Sequence, residues 1–318
     1  MASSTLPSTC HLVNIGTHSL ALYTHGPEPS SSEDSVIVFI SGVASDTLNW
    51  QAVVRLLGPS SLRSYTYDRS GYRNSEPSPR SPSAENIALE LSLLIEKAPI
   101  PNPLVLVGHS WAGVLIHEYI ALKGTDHIAG LVLVDANHES KPLVFAGMDT
   151  NDPILWTVAA DTDPYSAKGL EADHKLTQEE WDTFRTAEAG EKYEQIAYKE
   201  NENYMPSFEI LRKKELSKKF KQPLLGDKPV YVIGGARSRD WTGLYKAGVA
   251  KGNGTEEERS HVREMIKKVD GKNDGIMKEF LKLSTKSELV LTRKSGHFVQ
   301  LNQPEIVVEG VKWVLRNL

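Results

Sequence analysis

Two kinds of segment alternate along this sequence, and the alternation leaves few folds open. Val36–Ile40 (VIVFI), Leu104–Val107 (LVLV) and Ile128–Val134 (IAGLVLV) are almost unbroken apolar runs rich in β-branched residues. A strand with one wet face shows a period of two, whereas such runs mark strands covered on both faces. Between them lie stretches of helical periodicity. Asp46–Leu57 has Asp46 as its cap, Ser83–Ala98 carries Ile87, Leu91, Leu94 and Ile95 before Pro99 stops it, and Ala112–Leu122 follows. Strands alternating with helices predict an α/β fold, a mostly parallel doubly wound sheet with helices on both faces. His11–Ile15 and Ser19–Thr24 read as an opening hairpin, and Ser64–Tyr67 leads into the turn-rich Asp68–Pro82. Pro229–Ile233 and Glu288–Thr292 are the last strands. Pro304–Leu318 is the closing helix, with proline in its first turn.

The alternation fails between Asn137 and Lys228, where helical patterns occur without a convincing strand. Thr177-Gln-Glu-Glu180 is a capping box for a helix to about Glu188, and a second helix is expected over roughly 192–201. This predicts a core of residues 1–137 and 229–318, with a helical cap, 138–228, inserted over the end of the sheet. A further helical insert, Thr255–Ser284, opens with the capping box Thr255-Glu-Glu-Glu258.

Composition excludes several classes. A net charge of −5 argues against a nucleic-acid binder held by charge. Cys10 is the only cysteine, so an internal disulfide, a redox pair and a cysteine-based zinc cluster are all ruled out. Met1–Cys10 is rich in Ser, Thr and Pro and lacks the basic cluster and apolar run of a secretory signal. No stretch approaches the ~18 apolar residues of a membrane span. The expectation is a cytoplasmic monomer or homodimer acting on a small molecule, with no cofactor and no metal.

The sharpest chemical signal is Gly108-His-Ser-Trp-Ala-Gly113, set between a strand and a helix. A tight strand–turn–helix lifts Ser110 Oγ out of the sheet and aims the Trp111 N–H at the oxygen of a reacting acyl carbon. Ala112 stands where the minimal Gly-x-Ser-x-Gly pattern has its second glycine, and a methyl group is small enough there. A glycine-bounded turn without chemistry would need no hydroxyl at the apex. A serine hydroxyl needs a base to take its proton. His138, His174, His261 and His297 follow Ser110 with room for an acid between. His174 and His261 fall in polar helical inserts, whereas His297, in Lys294-Ser-Gly-His-Phe298, follows the last strand with Gly296 to allow the turn. That loop faces the elbow if both lie at the C-terminal edge of a parallel sheet. Two acids compete. Asp135 comes directly off the strand end Leu131–Val134, which favours it; Asp240 lies further from its strand, close after Arg237 and Arg239, and is expected to pair with one of them near the surface.

With these residues in place the chain resembles the α/β-hydrolases over nearly its whole length. Ser41-Gly42-Val43, with Trp50 beyond, resembles the family's His-Gly-x stretch, although serine replaces the usual histidine. The Val43 N–H then matches the second oxyanion donor. Asp68-Arg-Ser-Gly71…Ser75 resembles the loop after the fourth strand, with Arg73 where glycine is common. Val134–Glu139 and Ser295–Pro304 resemble a subgroup of serine hydrolases whose acid follows the sixth strand, which again points to Asp135. The resemblance implies that His297 takes the Ser110 proton, Asp135 orients the imidazole, and the Val43 and Trp111 N–H groups bind the oxyanion. Serine at the nucleophile position counts against an epoxide hydrolase or dehalogenase, which use aspartate there in this fold.

Residues 145–208 hold a dense set of aromatics, from Phe145 and Trp156 through Trp181 to Phe208. Part must pack the cap itself, and the rest suits an uncharged, mid-sized apolar or aromatic ester, lactone or thioester. Acyl transfer or cyclisation in secondary metabolism, or a small-molecule receptor, is the alternative. Asp135…His138-Glu139 is a poor metal half-site, because adjacent His and Glu point apart on a strand. Lys251-Gly-Asn-Gly254 has no phosphate-loop pattern, and the basic run Arg212–Lys221 reads as a solvated helix face.

Overall fold

The computed structural model describes residues 9–146 and 152–318. Apart from Thr9 and Cys10, the Ser/Thr/Pro-rich opening lies outside the described residues. Eight strands form one sheet: β1 (Thr9–Asn14), β2 (Ser19–His25), β3 (Val36–Ile40), β4 (Ser64–Tyr67), β5 (Leu104–His109), β6 (Ile128–Val134), β7 (Val230–Gly234) and β8 (Ser287–Leu291). Their spatial order is β1-β2-β4-β3-β5-β6-β7-β8. The β1–β2 and β2–β4 pairs are antiparallel and every other pair is parallel.

The apolar runs behave as covered strands, with β3, β5, β6 and β7 buried throughout. Their side chains split by the period of two. Val36, Val38, Ile40, Leu104, Leu106, Leu131 and Leu133 face one core, with helices α2 (Ala84–Lys97) and α3 (Ala112–Lys123). Ile37, Phe39, Val105, Val107, Val132 and Val134 face the other, with α1 (Gln51–Leu57) and the closing helix α14 (Pro304–Arg316). The Asp46–Leu57 segment divides into a 3-10 turn, Thr47–Trp50, and α1, with Asp46 accepting the Leu48 N–H at 2.9 Å.

Among the described residues, seven helices lie between β6 and β7. They are α4 (Lys141–Val144), α5 (Pro153–Val158), α6 (Pro164–Ala167), α7 (Leu170–Asp173), α8 (Gln178–Glu188), α9 (Glu191–Lys213) and α10 (Leu216–Lys219). Helix α9 runs well past the expected end near residue 201, straight through Pro206. Proline removes one hydrogen bond of the ladder, but Tyr204, Phe208 and Leu211 on either side are buried in the core beneath, and that burial keeps the helix going. Beyond β7 come α11 (Arg237–Ala250) and α12 (Glu256–Phe280), then β8, the short α13 (Val299–Asn302) and α14. Both capping boxes form, at Thr177/Glu180 and Thr255/Glu258.

Candidate active site

Ser110 sits between the end of β5 and the start of α3, with φ at +55°. A left-handed backbone costs a residue with a side chain about 1–2 kcal/mol, so neighbours must hold it. Its N–H donates to the Val134 carbonyl at 3.1 Å, and its carbonyl accepts from Asn137 at 2.7 Å and Gly113 at 3.1 Å. The glycines serve close approach rather than φ. A Cβ on Gly113 would lie 2.3 Å from the Asn137 carbonyl oxygen, and one on Gly108 would lie 2.9 Å from the Ala112 methyl. The short alanine therefore fits only because residue 108 has no side chain.

His297 follows β8 and brings its two ring nitrogens to the two expected groups. Nε2 lies 3.0 Å from Ser110 Oγ, and Nδ1 lies 2.6 Å from Asp135 Oδ2. Asp135 is fully buried at the end of β6 with φ at +41°, fixed by its own N–H to the Ile233 carbonyl at 2.7 Å. Its other oxygen accepts from Asn273 Nδ2 of α12 at 2.7 Å and from the Gly235 N–H at 3.1 Å. Arg237 Nε, at the start of α11, is 2.7 Å from the same Oδ2 that holds His297. Of the other three candidate histidines, His138 bonds Ser140, His174 stacks on Trp181 and His261 bonds Asp152, and none bonds Ser110.

The role expected for Asp240 is corrected in part: Arg239 Nη1 lies 3.9 Å from its Oδ1, but the carboxylate is buried and has a further partner. It lies in the first turn of α11, not in a surface loop, and is buried. Its Oδ2 accepts the His297 backbone N–H at 2.8 Å, while Arg237 turns to Asp135 instead. Gly296 is needed for space rather than for a turn, since a Cβ there would lie 1.8 Å from Asp240 Oδ1. His109 Nε2 contacts the His297 carbonyl at 3.0 Å; because a carbonyl only accepts, that nitrogen carries the proton. Both sides of the His297 peptide backbone are thus held by buried side chains. Asp240, Asn273 and His109 were hidden in the sequence because their partners are backbone groups or lie more than a hundred residues away. Only the Arg237-x-Arg239-Asp240 cluster gives a signal: Arg239 Nη1 does lie 3.9 Å from Asp240 Oδ1, but Arg237 pairs with Asp135 and the bond to the His297 N–H leaves no trace there.

The electrostatics follow the geometry. Burial alone would push the Asp135 carboxyl up, but Arg237 and the hydrogen bonds from His297 and Asn273 outweigh it and hold it below the usual carboxylate range. Burial, then the charges of Arg237 and His109, hold the His297 imidazole well below its ordinary value against the pull of Asp135. A neutral imidazole 3.0 Å from a hydroxyl is in the state that accepts its proton.

The loop Ser41–Ala44 lies against the serine, with a Gly42 Cβ position 2.9 Å from Ser110 Cβ. Ser41 Oγ donates to the Asp46 carbonyl at 2.9 Å and accepts from Trp50 Nε1 at 3.1 Å, which ties the two ends of the Ser41…Trp50 spacing together. Among the described residues neither the Val43 nor the Trp111 N–H has a hydrogen-bond acceptor. Two unclaimed donors beside a hydroxyl can receive a developing oxyanion. No three His, Cys, Asp or Glu side chains converge as metal ligands among the described residues.

The aromatics of the inserted helices divide unevenly. Trp181 and Phe184 pack with Leu170 and Leu176 onto Leu48, Ala52 and Leu301. Trp181 therefore joins the insert to the core rather than lining a pocket. Trp156, 41% exposed, borders a small cavity of about 50 Å³ together with His297, Lys168, Arg237, Asp240 and Trp241.

Comparison with known proteins agrees with this architecture. The sequence model of the alpha/beta hydrolase family matches residues 37–310. "AB hydrolase superfamily protein" of Gibberella zeae is 27% identical over 307 residues, covering 93% of this chain and 91% of that protein. "Probable transporter efuK" of Hormonema carpetanum is 30% identical over 310 residues; these cover 96% of this chain but only 42% of that protein, so the chain spans less than half of that relative. Among solved structures, the Cif epoxide hydrolase from Acinetobacter nosocomialis superposes with a TM-score of 0.67 at 15% identity, over 99% of this chain and 90% of that one. A "probable hydrolytic enzyme" from Pseudomonas aeruginosa gives 0.63 at 18% identity, over 97% and 94%.

Proposed function

The chain belongs to the alpha/beta hydrolase family, and from that premise we propose that it cleaves a carboxylic ester, lactone or thioester through an acyl-enzyme on Ser110. The observation that carries the reading is the unbroken line from Ser110 Oγ through His297 to Asp135, at 3.0 and 2.6 Å, beside two unclaimed backbone donors. His297 Nε2 takes the hydroxyl proton as Oγ attacks the acyl carbon. Asp135 fixes the tautomer with the Nδ1 proton and stabilises the imidazolium. The Val43 and Trp111 N–H groups receive the oxyanion, each donor contributing roughly 3 kcal/mol in comparable sites. His297 then protonates the leaving alcohol or thiol, and water, deprotonated by the same imidazole, releases the acid. A hydroxyl nucleophile supports acyl chemistry over the ring opening that the neighbour's name describes.

In this reading residues 138–228 act as a cap. Its exposed Trp156, beside His297 at the small cavity, offers an apolar, aromatic surface to the acyl group of a substrate. Turnover of a series of aryl esters, with Ser110→Ala as control, tests the proposal. The variant should lose about 10⁶ in kcat, the cost of deleting the nucleophile in a comparable hydrolase. Retention of a tenth of the activity would exclude Ser110 as nucleophile.

A further inference from the structure

The loop that offers the Val43 N–H is held by helix α9 of the insert. Ala44, the next residue, has φ at +48°, a region an alanine rarely occupies unless its surroundings over-determine it. Both polar groups of Ala44 are taken by side chains of or beside α9. Its N–H donates to Glu200 Oε2 at 2.8 Å, and its carbonyl accepts from the Tyr193 hydroxyl at 2.5 Å. Glu200 is only 1% exposed and is gripped from the core side. Arg69 Nε and Nη2 reach its two oxygens at 2.7 and 2.8 Å, and the Tyr72 hydroxyl reaches Oε2 at 3.0 Å. The same guanidinium donates to the carbonyls of Ser41 and Gly42 at 2.8 and 2.6 Å. Every residue of the loop except Val43 is therefore fixed through a polar group of its backbone, while the Val43 N–H is left for the reaction.

The Tyr193 hydroxyl has one proton and two neighbours, with Glu188 Oε1 at 2.9 Å as the second. Burial pushes the Glu188 carboxyl up to about 8, and the Tyr193 hydroxyl is shared between Glu188 Oε1 and the Ala44 carbonyl. One relay thus runs from the end of α8 to the loop beside Ser110.

We infer that Glu200 and Tyr193 are positioning residues for the reaction, holding the Ala44 peptide so that the Val43 N–H meets the oxyanion. This rests on the acyl-enzyme reading above. A consequence is that α9 must be seated on the loop for this oxyanion donor to be in place during the reaction.

Tyr193→Phe is the cleanest variant, because it deletes one hydroxyl and keeps the ring packed edge-on to Tyr72 at 5.2 Å. Removing an oxyanion donor outright costs about 10²–10³ in kcat; loosening its support should cost about tenfold. The loss should fall on kcat of a small aryl ester with KM within about threefold. Affinity for a phenylboronic acid, which forms a tetrahedral adduct on a serine, should drop by the same factor as kcat. Glu200→Gln places an amide NH₂ against donors and should lose more, about 10²-fold, with Glu200→Asp restoring part of it. Unchanged kcat and boronate affinity in folded Tyr193→Phe, or a loss confined to KM, would overturn the inference. Ser110→Ala, assayed alongside, separates the failures: if it stays active the acyl-enzyme reading fails, and if it is dead while Tyr193→Phe is normal only the positioning role fails.

Discussion

Replacing Arg237 by Gln should move the acid limb of the kcat/KM pH profile upward. Arg237 Nε and His297 Nδ1 lie 2.7 and 2.6 Å from the same Asp135 oxygen, so the two nitrogens are at most about 5 Å apart. At that separation and an effective dielectric constant of about 20, the repulsion between the guanidinium and an imidazolium is about 3 kcal/mol. One pKa unit corresponds to about 1.4 kcal/mol, so the repulsion is worth about 2 units. The sign is fixed by the chemistry: the base must be neutral, His297 is held below its ordinary value, and activity falls as pH drops through that depressed value. Removing the cation raises it and frees Asp135 to pull harder in the same direction. His109, Lys168 and Asp240 remain and leave the comparison clean. The expected result is an acid limb displaced upward by one to two units, measured with an uncharged ester between about pH 4 and 9, with a smaller displacement for Arg237→Lys. Breaking a buried pair costs about 3–5 kcal/mol of stability, so the profile is taken below the variant's unfolding temperature. An acid limb that stays in place in folded Arg237→Gln would refute the argument.

Asp135→Asn favours the wrong imidazole tautomer and should lower kcat by about 10⁴, as in a well-studied triad. Asp240→Asn keeps an acceptor for the His297 N–H and should lose far less; comparable losses in steady-state assays would mean that the backbone anchor matters as much as the acid. Gly296→Ala puts a methyl where Asp240 Oδ1 sits, 1.8 Å from the Cβ position, and should displace His297, depress kcat and lower stability by about 1–3 kcal/mol, as read by denaturant unfolding. Trp156→Ala should alter preference among acyl-chain lengths, whereas Trp181→Ala should chiefly lower stability, by about 3–5 kcal/mol for a buried aromatic, as read by denaturant unfolding.

What was legible in the sequence were features carried by local pattern. The apolar runs of β3, β5 and β6 announce strands covered on both faces, and the two capping boxes open helices at the expected residues. Ser110 is marked by glycines within two or three positions, and His297 by its place after the last strand. Pairings made across the fold left no such trace. Arg237 and Arg239 precede Asp240 closely in sequence, and Arg239 stays 3.9 Å from it, but helix α11 turns Arg237 toward Asp135 and buries Asp240 under the His297 backbone. Trp181 is amphipathically placed on α8 like a pocket residue, yet its face meets Leu48 and Leu301. Glu200 reads as one charge among many in a polar helix, and only the tertiary meeting with Arg69 makes it buried. Helix α9 outran its expected end because core burial of Phe208 and Leu211 outweighs the bond lost at Pro206.

The central claim is that Ser110 carries the acyl group. The direct test is to mix the protein with a p-nitrophenyl ester, quench in acid within the burst, and locate the added mass by peptide sequencing in a mass spectrometer. The account predicts a burst of nitrophenolate close to one equivalent per chain and a single acyl group on Ser110, both lost in Ser110→Ala. A burst with the acyl group on another residue, or steady turnover with no adduct under conditions where deacylation is slow, would contradict it.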